Sequence, residues 1–281
     1  MEEFQKKNSI INIVNVENNE AFWGNKKYAL TLGIKTAKNE QLLFIDADCK
    51  PVSKHWITEM TAQFSSKKTI ILGYGKYENT KFSFVNLAIR FETLLTAIQY
   101  FSYAKLNSPY MAVGRNLAYK KSEFFKTNGF IKHLHIKSGD DDLFIRDAAT
   151  SINTTICTSA ESFTTSIAPK TLNDWFRQKR RHVSTASHYK LKHQFFLGLF
   201  FLSKILFLSL TIPMLFIYPI ENILPIIFSY YLFQFVIIGL SAKKLQEKQL
   251  IYFLPFLELF LVLFQFSIFI ANSVSKPTHW K

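Results

Sequence analysis

Apolar and polar positions follow two different rhythms along this chain, and the change falls near residue 192. Before it, apolar residues are interleaved with charges in short periodic stretches. From Phe195 onward, long runs of Phe, Leu and Ile carry few charges. The pattern predicts a mixed domain over residues 1–192 and a membrane region over 193–281.

Within the first part, residues 1–7 are polar and predict no element, and residues 10–16 alternate as a short strand does. Residues 26–37 place Ala29, Leu30, Gly33, Ile34 and Ala37 at helical spacing. A four-residue apolar run follows at 42–45, the pattern of a buried parallel strand, and it stops at Asp46. A helix feeding such a strand puts the carboxylates after it at the C-terminal edge of a sheet, where open α/β folds bind ligands. Beyond it, 56–64 reads as helix and 69–77 as strand. Residues 82–103 form a long apolar helix that Arg90 and Glu92 interrupt, a core or interfacial helix rather than a span. Residues 141–150 predict a helix, 152–157 and 162–167 two strands, and 172–188 a basic helix leading to the membrane.

Three apolar segments close the chain, at about 195–218, 223–240 and 250–271, each near the ~20 residues that a helix needs to cross the hydrocarbon core. Lys204 lies inside the first and Glu258 inside the third. The link between the first two holds Glu221 and no Lys or Arg, whereas the next holds Lys243, Lys244 and Lys248. By the positive-inside rule the second link and everything before the first span face the cytoplasm of a multi-pass cell-membrane protein. Lys276 and Lys281, in the tail on the other side, oppose that orientation.

Composition adds two constraints. The net charge is +14 over 281 residues, which by itself suits nucleic acid, a membrane surface or an anionic small molecule. No basic helix with interleaved aromatics signals nucleic acid, so the bilayer and a phosphate-bearing substrate are the expected partners. The two cysteines, Cys49 and Cys157, are too few for a disulfide framework or a cysteine zinc site.

Three clusters can carry chemistry. Asp46-Ala47-Asp48 ends the apolar run, and two carboxylates one residue apart can place oxygens on a hard cation; alone, the triplet equally suits a turn or helix cap. Gly139-Asp140-Asp141-Asp142 sets three acids side by side, where repulsion raises a pKa toward that of a general base; a helix N-terminus capped by Asp140 is the plain alternative. Gln178-Lys179-Arg180-Arg181-His182 offers bidentate donors to phosphate, or a basic patch for anionic lipid.

Taken in order, these clusters, with Trp56 after the Asp pair and the stretch Gly114-Arg115-Asn116-Leu117-Ala118-Tyr119, stand ahead of transmembrane segments. That arrangement resembles the family 2 glycosyltransferases, which include cellulose, chitin and hyaluronan synthases. The resemblance runs from Lys26 to the third apolar segment. It implies an α/β fold of the GT-A type followed by an α-helical transmembrane region, a nucleotide-diphosphate sugar donor, Mg2+ or Mn2+, inversion at the anomeric carbon, and a saccharide or lipid-linked acceptor. By position, Asp46 and Asp48 would hold the metal, Asp141 would deprotonate the acceptor hydroxyl, and Asp140 would be its neighbouring acid. Gln178, Arg181, His182 and Arg115 would line the donor and acceptor sites.

The chain departs from the family at two places. His182 stands where the motif usually has Trp. The family also begins with a strand, a helix and an acidic strand end that cradle the base, and nothing before Lys26 matches that unit, so an N-terminally incomplete domain is expected. An inactive membrane-bound scaffold is therefore an alternative, as is a small transporter or channel subunit using Lys204 and Glu258. His133 and His135 have no third metal ligand at a fitting spacing and are expected at the surface.

Overall fold

The computed structural model describes residues 2–16, 25–136 and 138–275; the expectation about Lys276 and Lys281 lies outside them. Two small sheets carry the α/β part. The first contains β1 (Gln41–Phe44), β5 (Leu117–Lys120), β3 (Ile70–Leu72) and β6 (Thr154–Ile156) in the order β1-β5-β3-β6. β5 runs antiparallel to both β1 and β3, and β3 is parallel to β6. The second has the order β2-β7-β4, from β2 (Cys49–Pro51), β7 (Thr164–Ser166) and β4 (Gly75–Tyr77).

Several expectations change here. β1 stops at Phe44, ahead of the carboxylates, but it pairs antiparallel at one end of its sheet and is only half-buried, not a buried parallel strand. Its neighbour β5 supplies the apolar cover, with Phe44 stacked on Tyr119 at 4.3 Å between ring centroids. Residues 11–16 form no strand, and the polar start is instead a short exposed helix, α1 (Glu2–Lys7).

The predicted strand at 69–77 is broken into β3 and β4, which belong to different sheets. Gly73 sits at the break. A Cβ there would lie 2.5 Å from Cγ of Asn116, so only glycine admits the close approach. Asn116 is fully buried and ties the sheets together: its side-chain amide donates to the carbonyls of Tyr74 and Ser162, and its Oδ1 accepts from the Trp56 indole at 3.1 Å. Trp56 opens α3 (Trp56–Thr61). The sequence signals Trp56 and Gly114-Arg115-Asn116 thus meet at one knot, and Tyr100 adds a hydroxyl bond to the Gly73 carbonyl.

Helices cover the sheets. α2 (Asn25–Thr36) precedes β1. α4 (Phe84–Lys105) is the main core helix, capped by Ser83, whose hydroxyl accepts from the Asn86 amide. α5 (Lys121–Lys126) and α6 (Asp142–Ala148) follow β5, and α7 (Leu172–Ala186) is strongly two-faced. Trp175 of α7 is fully buried, while Arg177 is exposed.

Among the described residues three helices are long and apolar enough to cross a membrane: α8 (Leu191–Ile217), α9 (Ile220–Lys244) and a segment, Lys248–Val274, that contains α10 (Leu254–Val274). α8 and α9 expose most of their side chains, as helices surrounded by lipid do. α10 is more buried. Trp175 stacks on Phe264 at 4.0 Å between centroids, and Arg180 holds the far end of α10 through Asn272 Oδ1 (2.8 Å) and the Ala271 carbonyl (3.0 Å). The link between α9 and α10 is also docked: Glu247 pairs with Arg90 of α4 in a buried ion pair, and Lys76 of β4 reaches Gln246. This link therefore packs against α4 and the sheet domain.

Candidate functional site

The cavity that matters, about 1180 Å³, opens between the loops that follow the strands and the face of α7. It is lined by Asp46 and Asp48, by Gly114 and Arg115, by Asp140, Asp141 and Asp142, and by Gln178, Lys179, Arg181 and His182. All the residues singled out in the sequence for catalysis, metal or substrate contact are thus brought to one space.

The local structure explains how. After β1 the chain turns tightly, with the Cys49 amide donating to the Asp46 carbonyl at 2.9 Å, which leaves Asp46 half-buried and Asp48 exposed at the rim. Asp141, rather than Asp140, is the N-cap of α6: its Oδ1 accepts from the Asp142 amide at 2.8 Å and its Oδ2 from the Gly114 amide at 2.6 Å. Gly114 is the meeting point. A Cβ there would stand 3.3 Å from Asp141 Oδ2 and 3.5 Å from Asp46 Oδ1, so any side chain would intrude between the two carboxylates.

Burial pushes the Asp141 carboxyl up to about 6, with the Asp140 charge adding to it and Lys26 opposing it. Burial also holds Asp142 well above its usual range, next to the Asp141 charge. Asp142 accepts from the Tyr189 hydroxyl at 2.7 Å. Ser138 meets Thr185 at 2.6 Å. The acidic loop is therefore anchored to the end of the same helix that carries Gln178 and Arg181.

Those two residues lie one turn apart on α7 and face the cavity together. Gln178 Oε1 is buried with no hydrogen-bond partner, and so is Arg115 Nη1. The Arg115 guanidinium lies over the Tyr77 ring at 4.4 Å, which fixes its plane. Lys179 forms an ion pair with Glu92 at 2.6 Å, joining α7 to α4. His182 lines the cavity but is exposed, and Asp140 is engaged elsewhere, with Lys26.

Lys26 is the residue that sequence reasoning missed. Its ammonium bridges Asp46 Oδ1 (3.0 Å) and Asp140 Oδ2 (2.9 Å). Although burial alone would lower its pKa, the Asp140 and Asp46 charges outweigh that and raise it. Its neighbour Lys27 is fully buried, donates to the carbonyls of His133 and Ile136 at 2.7 Å each, and is lowered to about 8 by burial. Both residues start α2, and only the adjacency of two lysines in a cluster-facing helix start could have flagged them. His133 is a correction: it is buried at 1% exposure beside Phe130, and burial lowers it to about 4. His135 is exposed, as expected.

The donor set fits a hard cation. Among the described residues no three acidic, His or Cys side chains are grouped as a complete protein-made metal site. Mg2+ and similar ions, however, are held at phosphoryl-transfer sites by one or two carboxylates together with substrate phosphates, and Asp46 and Asp48 supply that number.

No protein-family model matches the chain, and no curated protein matches it. Among solved structures, a mannosyltransferase of Pyrobaculum calidifontis, in complex with GDP-Man and Mn2+, is similar with a TM-score of 0.42 and 14% identity. The likeness covers 56% of this chain and 41% of that one, so the chain spans less than half of that neighbour's length. A likeness this distant carries no argument about function, which rests on the cavity itself.

Proposed function

We propose that the chain is a membrane-anchored glycosyltransferase of the family 2, GT-A type, with a transferase unit over residues 1–192 and a membrane unit over 193–281. It takes a nucleotide-diphosphate sugar as donor and works from the cytoplasmic face of the cell membrane. The observation that carries this reading is the shared cavity that Asp46, Asp48 and Asp141 line together with Arg115, Gln178 and Arg181.

In this reading Asp46 and Asp48 would hold Mg2+ or Mn2+, and such an ion would supply positive charge to offset that on the leaving group. Arg181 and the unpartnered Arg115 Nη1 donate to the diphosphate. Gln178 orients the acceptor, His182 borders it, and Asp140 keeps Lys26 in place. Asp141, raised toward neutrality and held rigid by two backbone amides, takes the proton of the acceptor hydroxyl as that oxygen attacks the anomeric carbon. Attack from the face opposite the leaving diphosphate inverts that centre.

A catalytically inactive scaffold is the second reading. It is favoured by Lys26, whose ammonium already occupies the space between Asp46 and Asp140.

Binding of a fluorescent nucleoside diphosphate to the purified chain separates the two. An active site requires Mn2+ or Mg2+ for binding, loses it in Asp46→Asn with Asp48→Asn, and weakens in Arg181→Ala by roughly 10- to 100-fold, the worth of a hydrogen bond to a charged group. Metal-independent binding, or none, supports the scaffold.

A further inference from the structure

The cavity has a second arm. From the carboxylates it continues past α4 and α7 into the cleft between α8 and α10, two of the helices apolar enough to lie in a bilayer. Its walls there include Leu197, Phe200 and Phe201 on α8 and Leu261, Gln265 and Ile268 on α10. On each helix these positions recur at three- and four-residue spacing, so they form one face. From Leu197 to Lys204 the arm follows α8 for ~10 Å. Its floor is the Lys204–Glu258 ion pair, which the Tyr230 hydroxyl joins at 2.7 Å.

We infer that this arm seats the hydrocarbon chain of a lipid acceptor, whose head group offers a hydroxyl to Asp141. The inference rests on the transferase reading for the chemistry, but not for the seat. A polar polymer in the arm would need partners for hydroxyls along its length, and on the α8 and α10 walls the polar side chains are Gln265 and the Lys204–Glu258 pair, which is already engaged with itself and with Tyr230. Among the described residues the apolar helices that line the arm are α8 and α10, two walls rather than a ring, and α8 turns most of its surface outward. A hydrocarbon chain meets neither difficulty, because it can pass sideways from the bilayer into an apolar cleft. The wall changes from Phe and Leu to Gln178, Arg181 and Asp141 along one continuous space, which is the polarity profile of an amphiphile.

The transfer balances in this seat. The lipid hydroxyl oxygen forms the bond to the anomeric carbon while the bond from that carbon to the diphosphate oxygen breaks. The nucleoside diphosphate leaves with the electron pair, and the hydroxyl proton passes to Asp141.

The test uses the full chain in lipid nanodiscs with a diacylglycerol that carries a photoactivatable diazirine in one acyl chain. After illumination, mass spectrometry locates the adducts. Labelling is expected on the inward positions of α8 and α10. It should be lost with excess unlabelled diacylglycerol and in Gln265→Trp, which fills the arm, and retained in Leu263→Trp, on the exposed face of α10. Labelling spread equally over exposed Leu263 and Phe266, or unchanged in Gln265→Trp, overturns the seat. Competition by triacylglycerol as strong as by diacylglycerol overturns the hydroxyl head group. The labelling needs no donor, so a localised adduct with no release of nucleoside diphosphate from any nucleotide sugar defeats the transferase reading alone. Transfer without localised labelling defeats the lipid seat alone.

Discussion

Two lysines meet carboxylates along the same cavity under opposite conditions. Lys26 is 55% exposed where it bridges Asp46 and Asp140, whereas Lys204 and Glu258 are 8% and 1% exposed where they join α8 to α10. In water the first pair has a ready alternative in solvent and can be displaced by a divalent ion or a substrate at small cost. In the apolar cleft the second has none, and parting it leaves an uncompensated charge in hydrocarbon. The same chemical pair is a movable counter-ion at one end and a fixed staple at the other. On the proposed reading, that difference puts the chemistry at the Asp46 end and the assembly of the helices at the Lys204 end.

The largest effect should come from Asp141, which neither lysine replaces. Asp141→Asn keeps the size of the side chain and an oxygen for the Gly114 amide, but it cannot take a proton. Turnover should fall by roughly 10²- to 10⁴-fold, the usual worth of a positioned base, while nucleotide affinity changes little. In the native chain the rate should rise with pH through about 6, where Asp141 loses its proton. Near-normal turnover in the Asn variant would move the base to another residue. Stability runs the other way: because the folded pKa lies above the ordinary 3.8, the cost of ionising buried Asp141 is absent below about 4 and grows as pH rises to about 6.

Next in size is the staple. Glu258→Ala leaves Lys204 charged and unpaired, and it should destabilise the chain by ~3–5 kcal/mol, seen as a lower thermal midpoint in detergent. A loss below ~1 kcal/mol, the range of an exposed pair, would erase the contrast between the two lysines.

The smallest effect is expected at the movable end. Lys26→Ala should change stability by no more than ~1 kcal/mol, yet lower the Mn2+ concentration needed for nucleotide binding, because the metal no longer competes with an ammonium for Asp46. An unchanged metal requirement would mean that Lys26 does not share the metal's place.

Much of this architecture was legible in the sequence, but unevenly. Asp46, Asp48, Asp141, Gln178 and Arg181 could be picked out because each belongs to a short local cluster next to a periodic element, and the three long apolar helices because their length speaks for itself. The direction of β1 could not be read: an apolar run of four residues carries no information about which strand lies beside it. The break between β3 and β4 depends on Asn116, more than forty residues away, pressing on Gly73. Nothing near Gly73 signals that contact. Burial of His133 and of Lys27 is equally non-local, since each is covered by segments distant in the chain. Lys26 escaped notice because a lysine at a helix start is ordinary until the carboxylates it faces are known.

The most direct test of the account is release of nucleoside diphosphate by membranes that carry the full chain, given a panel of nucleotide-diphosphate sugars with Mn2+. The account predicts release from at least one donor, abolished by EDTA and by Asp46→Asn with Asp48→Asn. Absence of release from every donor, in membranes where the chain is folded and inserted, would contradict it.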